Sequence, residues 1–293
     1  MDKKSIGLLL GALAIMGCTT GGPARFDFYP PIDGVYFFTV GEFRVSMLVE
    51  AEREGNTGIL IDADEELLAR YIPETGFRHT ANAFLISTPE RNILVDAGTG
   101  VDGIIIDKIR ALGLEPDQID TILITHLHRD HFGGLLGDNG ANFPNAQVFL
   151  AAQELEYFTR TNVNEGAVAA LAPYQVTTFN PRQPGSVNTA LFPGITPMAN
   201  FGHTPGHTVF LIEDSNDKLL IAGDFLHVAL VQFAHPEISA TFDVDPHAAA
   251  VSRRQILEFA EQNNIPIGGM HIVYPGVGTV EAADDGFTFT PRN

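Results

Sequence analysis

The sequence predicts an α/β fold, since short apolar runs typical of β-strands alternate with segments whose apolar residues recur at helical spacing. Hydrophobic residues make up 45% of the 293 residues, which is enough to build a substantial buried core. Several of the predicted strands end directly at a histidine or an aspartate. These observations favour one large domain that carries polar residues at its strand ends.

The individual elements follow from apolar periodicity and from the turn and capping residues between the runs. Strands are predicted at residues 35–40, 43–49, 83–87, 92–95, 119–124, 148–150, 209–213, 219–222 and 265–267. Helices are predicted at residues 64–71, 104–112, 151–160 and 245–261. The rest of residues 50–80 and residues 161–192 show no clear pattern. The predicted folded domain comprises residues 35–293.

The first 34 residues have the composition of a targeting segment followed by a tether. Residues 1–17 join a basic start to an apolar run that is too short for a stable bilayer span, as in a secretory signal. Cys18, the one cysteine of the chain, stands where a bacterial lipoprotein signal is cut and lipidated. An ordinary signal peptide with a chance cysteine is the alternative. Residues 18–34 are predicted to be a flexible tether.

We therefore expect an exported lipoprotein of the bacterial cell envelope that faces the periplasm and is held to a membrane by lipid on Cys18. With no second cysteine, the mature protein can form no internal disulfide. The formal charge of −19 repels phosphate backbones, so nucleic acid is excluded as a partner.

One short loop directly after the predicted strand at residues 119–124 concentrates potential metal ligands. His126, His128, Asp130 and His131 lie within six positions and are followed by a glycine pair. His126 and His128 are two residues apart, so both imidazoles can reach the same side and share one ion. Imidazole and carboxylate ligands at such spacing suit zinc or a similar divalent metal. A polar loop with one or two ordinary histidines is the alternative.

Further acidic or imidazole side chains follow other predicted strands or lie close to strand ends. They are Asp96, His207, Asp224 and His271. Any one of them is a weak signal, but the set in this order indicates a metal centre. Asp96 fits two roles equally well, a plain turn former or a carboxylate that orients a metal-binding histidine from behind.

The order of these motifs closely resembles that of the metallo-β-lactamase-fold hydrolases. The resemblance implies a four-layer αβ/βα sandwich with a dinuclear metal site along one edge. It assigns His126, His128 and His207 to the first metal, Asp130, His131 and His271 to the second, and Asp224 to the bridge between them. It also makes Asp96 a residue that orients a ligand and gives His203 a supporting role.

A narrower resemblance covers most of the predicted mature chain. Residues 223–233 and 271–278 are similar to a branch that contains the methyl parathion hydrolases and related lactonases and aryl esterases. His227 stands close to the position where many homoserine lactone lactonases carry a tyrosine that assists the carbonyl. Members of that branch act on esters, lactones or phosphotriesters, so the resemblance leaves the substrate open.

Two divalent ions, zinc or alternatively manganese, cobalt or iron, would lower the pKa of a shared water from about 15.7 toward 7 and so supply a hydroxide. Asp130 is the candidate to accept a proton and pass it to the leaving group. His227 is the candidate to steady the leaving oxygen, with a buried structural histidine as the alternative. We expect Phe132, Phe225 and Phe233 to lie nearest the cleft, with core packing as the alternative.

The sequence thus predicts a dinuclear metal hydrolase of neutral lactones or aryl esters. Phosphotriester hydrolysis is the alternative within the enzyme class, since the same ions serve both reactions and the pocket decides between them. A surface lipoprotein that binds metal or a ligand without turnover is the alternative outside it. A homodimer is compatible with the sequence.

Overall fold

The computed structural model describes residues 32–160, 165–187, 189–284 and 286–292. The predicted signal peptide, Cys18 and most of the predicted tether lie outside these residues. The first strand begins at Val35, which is the predicted start of the folded domain.

Fifteen strands, seven α-helices and four short 3₁₀ helices make up the regular structure of the described residues. The strands are β1 (Val35–Val40), β2 (Phe43–Glu54), β3 (Arg78–Ser87), β4 (Asn92–Val95), β5 (Thr121–Leu123), β6 (Leu136–Gly137), β7 (Gly140–Ala141), β8 (Gln147–Ala151), β9 (Gln175–Phe179), β10 (Ile195–Ala199), β11 (Thr208–Asp214), β12 (Asp217–Ile221), β13 (Ile267–Gly268), β14 (Val277–Ala283) and β15 (Gly286–Pro291). The helices are α1 (Glu65–Tyr71), α2 (Ile104–Ala111), α3 (Arg129–Phe132), α4 (Ala152–Arg160), α5 (Glu165–Leu171), α6 (Ala229–Gln232) and α7 (Pro246–Gln262).

Two mixed sheets form the centre of the domain. The seven-stranded sheet has the order β1-β2-β3-β4-β5-β8-β9, in which the last four strands run parallel. The six-stranded sheet has the order β10-β11-β12-β13-β14-β15, with β12 and β13 as its parallel pair. The strands β6 and β7 form a separate short hairpin.

Apolar residues of each sheet alternate between two cores, as the two-residue period of a strand requires. Met47 and Val95 point between the two sheets, where they pack with Phe210 of the second sheet. Leu48 and Leu94 point to the other side, where helices α2, α4 and α5 cover the first sheet. Helix α7 covers the outer face of the second sheet in the same way. The predicted four-layer sandwich is therefore confirmed.

Most of the longer elements that the sequence did not predict are strands with weak apolar alternation. Strand β9 is an edge strand of mostly polar residues, and β10 is an edge strand that contains Pro197. A proline is tolerated there because one side of an edge strand needs no hydrogen bonds. Strand β2 runs on to Glu54 past an irregularity in its register between Val49 and Ala51. The hairpin of β14 and β15 and the short helix α5 also went unpredicted.

Helix α7 begins where its sequence predicts, since the Asp245 side chain accepts a hydrogen bond from the Ala248 N–H at 3.0 Å and Pro246 follows it. Helix α1 is capped by Asp64 in the same manner. Across the described parts of the chain, every helix is too short or too polar to cross a membrane.

Candidate metal centre

The candidate ligands follow the ends of strands from both sheets at one edge of the sandwich, in loops or, for Asp130 and His131, in the short helix α3. The ligand loop with His126 follows β5, and the loop with His203 follows β10. Asp224 follows β12 and His271 follows β13. Because β12 and β13 are parallel, their carboxyl ends bring these two side chains to the same place.

Three imidazoles form what we call the first cluster: His126, His128 and His203. His126 Nε2 lies 3.0 Å from His128 Nδ1 and 3.1 Å from His203 Nε2, and the remaining pair is 3.0 Å apart. Nitrogens held 2.0–2.1 Å from one zinc ion at tetrahedral angles would be about 3.3 Å apart. The spacing of the three nitrogens is therefore close to that of a shared metal site.

The second cluster consists of Asp130, His131 and His271. Asp130 Oδ2 lies 3.6 Å from both His131 Nε2 and His271 Nε2. The His131 Nδ1–H donates to Asp96 Oδ2 at 2.7 Å, and the His271 Nδ1–H donates to the Thr80 carbonyl oxygen at 2.7 Å. Both imidazoles thus turn their Nε2 atoms toward Asp130.

Asp224 lies between the two clusters. Its Oδ2 is 2.9 Å from His271 Nε2 and its Oδ1 is 3.2 Å from His131 Nε2. The same Oδ2 is 3.6 Å from His203 Nε2 and 3.8 Å from His126 Nε2. One carboxylate can therefore reach ions in both clusters, as the predicted bridging role requires.

The structure differs from the sequence interpretation at His207. Its Nε2 accepts a hydrogen bond from the Asp224 N–H at 2.9 Å, and its Nδ1–H donates to the Asn200 carbonyl oxygen at 3.0 Å. Both ring nitrogens are therefore occupied by backbone groups, which leaves no lone pair for a metal. His203, predicted to have a supporting role, takes the place in the first cluster that His207 was expected to fill. The other six predicted ligands lie in the two clusters and at Asp224, and their binding of metal stays a prediction.

Buried carboxylates orient the ligand side chains from behind. Asp96 accepts hydrogen bonds from the Thr125 N–H and hydroxyl as well as from His131, and it has a left-handed backbone conformation (φ 58°). Asp243 orients His203, because the Nδ1–H of His203 donates to Asp243 Oδ1 at 2.8 Å. Such partners fix which ring nitrogen faces the metal. The role proposed for Asp96 is thus compatible with its position, whereas Asp243 gave no recognisable sequence signal.

The electrostatics of the protein alone prepare the first cluster and Asp224 for cations. Burial and neighbouring imidazoles lower the pKa of His126 and of His203 well below the ordinary value, so both rings are neutral and keep a lone pair. Burial would raise the pKa of Asp224, but His131 and His271 outweigh it and hold that pKa well below its usual range. An ionised carboxylate at the centre favours bound cations.

Two orphaned polar atoms support the fit of metal ions to this site. Within the described residues, the buried atoms His131 Nε2 and Asp224 Oδ1 have no hydrogen-bond partner. Buried polar atoms without partners cost free energy, and native proteins generally pair them. Divalent metal ions would satisfy both atoms, so the residues present fit the ions that the sequence implies.

His227 lies beside the clusters, with its Nε2 3.4 Å from Asp224 Oδ2. Its backbone N–H donates to Gln232 Oε1 at 2.7 Å, which fixes the turn that presents the ring. Its Nδ1 is buried and, among the described residues, has no hydrogen-bond partner. The ring also contacts Phe242, a half-exposed side chain with a ring centroid 5.5 Å away. His227 therefore lies between the clusters and the half-exposed Phe242.

An apolar pocket of about 580 Å³ opens beside His227 and His271. Its walls include Leu230, Phe233 and Phe289. Of the three phenylalanines expected near the cleft, Phe233 lines this pocket, whereas Phe132 and Phe225 lie in the cores against the first and second sheets.

Two further residues near the ligands were not recognised in the sequence. The ring of His79 stacks on His271 with centroids 4.4 Å apart, and burial lowers its pKa to about 4. Glu154 is fully buried behind the first cluster. Neither His79 nor Glu154 could be recognised from the sequence, because the residues that they contact are far away in the chain.

A sandwich of two sheets between helices, with paired histidine and aspartate clusters at one edge, defines the class of metallo-β-lactamase-fold proteins. The sequence profile of the metallo-beta-lactamase superfamily matches residues 76–264, and the chain belongs to that superfamily.

The chain is similar to the probable metallo-hydrolase YflN of Bacillus subtilis (strain 168), with 26% identity over 162 residues. That alignment covers 49% of this chain and 60% of YflN. It is also similar to an N-acyl homoserine lactonase of a Bacillus species, with 29% identity over 157 residues that cover 44% of this chain and 57% of the lactonase. Each alignment spans less than two thirds of the relative.

Two solved structures match over most of their length. The hydrolase AbOPH of the beta lactamase superfamily aligns with a TM-score of 0.78 and 27% identity, covering 90% of this chain and 99% of AbOPH. AidC, a dizinc quorum-quenching lactonase, aligns with a TM-score of 0.78 and 23% identity, covering 89% of this chain and 98% of AidC. At that identity the likeness to AidC shows the shared fold alone.

Proposed function

We propose that this protein is a dinuclear metal hydrolase of lactones or aryl esters. The observation that carries the proposal is the pair of ligand clusters joined by Asp224, with an apolar pocket opening beside them. The similarity to N-acyl homoserine lactonases supports the same reaction class.

In this proposal His126, His128 and His203 hold one ion, Asp130, His131 and His271 hold the other, and Asp224 binds both. When bound, two divalent ions activate water for attack and polarise the substrate oxygen. The choice among zinc, manganese, cobalt and iron is open to experiment, since all of them accept imidazole and carboxylate ligands.

The residues of the chain would then position the substrate and move its protons. The Asp130 side chain is 34% exposed, which makes it the ligand carboxylate that a substrate can approach. We assign to it the transfer of a proton to the leaving group. His227 has an unpaired ring nitrogen beside the pocket and would form a hydrogen bond with a polar group of the substrate there.

The pocket favours a neutral substrate with an apolar group. Leu230, Phe233 and Phe289 offer aliphatic and aromatic surface next to His227 and His271. An acyl chain or an aryl leaving group would bury apolar area there while its carbonyl carbon stays beside the clusters. The net charge of −19 works against strongly anionic substrates.

The test is a panel of substrates compared by kcat/KM on metal-reconstituted and chelated protein. The panel contains acyl homoserine lactones of several chain lengths, simple lactones, aryl esters and the phosphotriesters paraoxon and methyl parathion. We expect a lactone or an aryl ester to give the highest kcat/KM and every activity to disappear on chelation.

A phosphotriester that outperforms every lactone and ester would replace the proposed substrate class. Protein that holds two metal ions per chain but turns over nothing in the panel would instead favour the binding protein without catalysis. Activity that survives complete chelation would contradict the metal mechanism.

A further inference from the structure

Glu154 has an unusual position for a carboxylate near the start of a helix that covers the first sheet. It belongs to the first turn of α4, yet it is completely buried. Its Oε1 accepts a hydrogen bond from the Leu127 N–H at 2.7 Å. Its Oε2 accepts from the Thr204 hydroxyl at 2.7 Å and from the Gly206 N–H at 2.9 Å. Three donors thus converge on one buried carboxyl group.

These donors belong to the two loops that carry the first cluster. Leu127 stands between His126 and His128, and Thr204 directly follows His203. The two loops are far apart in the chain, and Glu154 joins them through a single side chain. None of the three donors is one of the second-cluster ligands, which are Asp130, His131 and His271.

The second loop is shaped to pass against the start of α4. A Cβ atom placed on Gly206 would lie 2.4 Å from the Glu154 backbone nitrogen, which is far closer than non-bonded atoms approach. Glycine is therefore required there for the Gly206 N–H to reach the carboxylate. Burial raises the pKa of Glu154 to about 7, and the two N–H groups and the hydroxyl act in the opposite direction.

We propose that Glu154 is a positioning residue that clasps the two loops and so sets the geometry of the first cluster for metal binding. The inference rests on the proposed function in one respect, namely that the first cluster binds a metal ion. In its ionised form the Glu154 side chain suits the task because it only accepts hydrogen bonds, and all three partners that face it are donors.

The variant Glu154→Gln tests this inference with little change in size. The amide of glutamine carries one acceptor and one donor group, so in either orientation its NH₂ faces at least one backbone N–H. We expect one of the two metal equivalents to bind roughly tenfold to a hundredfold more weakly, the usual effect of removing a partner behind the ligands. The other equivalent should keep its affinity within about twofold.

The measurement is a Co²⁺ titration of the chelated protein against a competing chelator, followed by visible absorption. Glu156→Gln is the matched control, since Glu156 lies on the same helix, is exposed and forms its ion pair with Arg160 at 2.6 Å. It should bind both equivalents as the unaltered protein does. Thr204→Val removes one of the three donors and should weaken the same equivalent by a smaller factor, which keeps the test available if Glu154→Gln does not fold.

Weaker binding of only one metal equivalent in Glu154→Gln and Thr204→Val supports the positioning role of Glu154. Equal weakening of both equivalents would show a general structural role and overturn it, as would unchanged binding of both. Failure of the proposed function has a different signature, since the unaltered protein would then bind fewer than two equivalents or show no turnover with both bound.

Discussion

The two clusters are held in place in different ways. The first cluster is contributed by two distant loops that meet on Glu154, so its geometry depends on the loops staying together. In the second cluster, His131 is tied to Asp96 and His271 to the backbone of β3 at Thr80. Its imidazoles are therefore fixed one by one rather than through a common clasp.

The clusters also differ in access. Each cluster contains one partly exposed ligand, His128 in the first and Asp130 in the second, but only the second contributes a residue, His271, to the lining of the apolar pocket. From this difference we expect the first cluster to hold an ion in place and the second cluster to contact the substrate. Substitutions that separate metal binding from substrate selection test this division.

The largest effect is expected from Asp224→Asn, because Asp224 is the carboxylate that reaches both clusters. Binding of both metal equivalents should weaken, and kcat/KM should fall by more than the roughly hundredfold expected for a residue behind the ligands. Elemental analysis and the substrate panel measure both quantities. The exposed Asp138, changed to Asn, serves as the control. Loss of a single equivalent in Asp224→Asn would contradict its position between the clusters.

The next comparison concerns His203 and His207. His203→Ala should lose one metal equivalent and nearly all turnover, with a cost in stability limited to the one donor that the buried Asp243 loses. His207→Ala should instead lower the free energy of unfolding, since it leaves the buried Asp224 N–H and Asn200 carbonyl unpaired at about 1–3 kcal/mol each.

Urea unfolding of both chelated variants, together with their metal content, separates these outcomes. If His207→Ala keeps full stability and loses a metal ion, while His203→Ala retains both ions, the assignment from the sequence would be right and the one from the structure wrong.

A smaller effect, but on both clusters, is expected for Asp96→Asn. Asp96 holds His131 of the second cluster and also Thr125, which directly precedes His126 of the first. Both metal equivalents should bind roughly tenfold to a hundredfold more weakly, in contrast to the single equivalent affected in Glu154→Gln. The same Co²⁺ titration compares the two variants. Weaker binding of only one metal equivalent would show that Asp96 supports the second cluster alone.

The smallest effect is expected in the pocket. Leu230→Trp should narrow the pocket and lower kcat/KM roughly tenfold for long acyl chains while short chains are nearly unaffected. Val168→Trp, at another exposed position outside the pocket lining, is the control. A loss of equal size for short and long chains would place the acyl group elsewhere.

The positions of the ligands explain how much of the fold and site could be predicted from the sequence. The fold and most candidate ligands were predictable because each ligand directly follows an apolar strand or lies in one dense motif, as His126 and Asp224 do. Strand ends of one sheet edge meet in space, so residues in these positions converge without further information.

His203 and His207 could not be told apart by such local signals. Both occur in one short glycine-rich segment, and the choice between them is made by backbone groups at Asn200 and Asp224. Glu154 was missed for the same reason, since its partners lie 27 to 52 positions away in the chain. The unpredicted strand β10 contains Pro197, which obscures its pattern.

The proposed hydrolysis requires two metal ions that act together, one in each cluster. Its most direct test counts the metal in protein purified without added metal and then follows turnover as metal is returned to the chelated protein. We predict nearly two equivalents per chain and turnover that reaches its full value only with the second. A reproducible content of one equivalent, unchanged on reconstitution and fully active, would contradict the dinuclear mechanism.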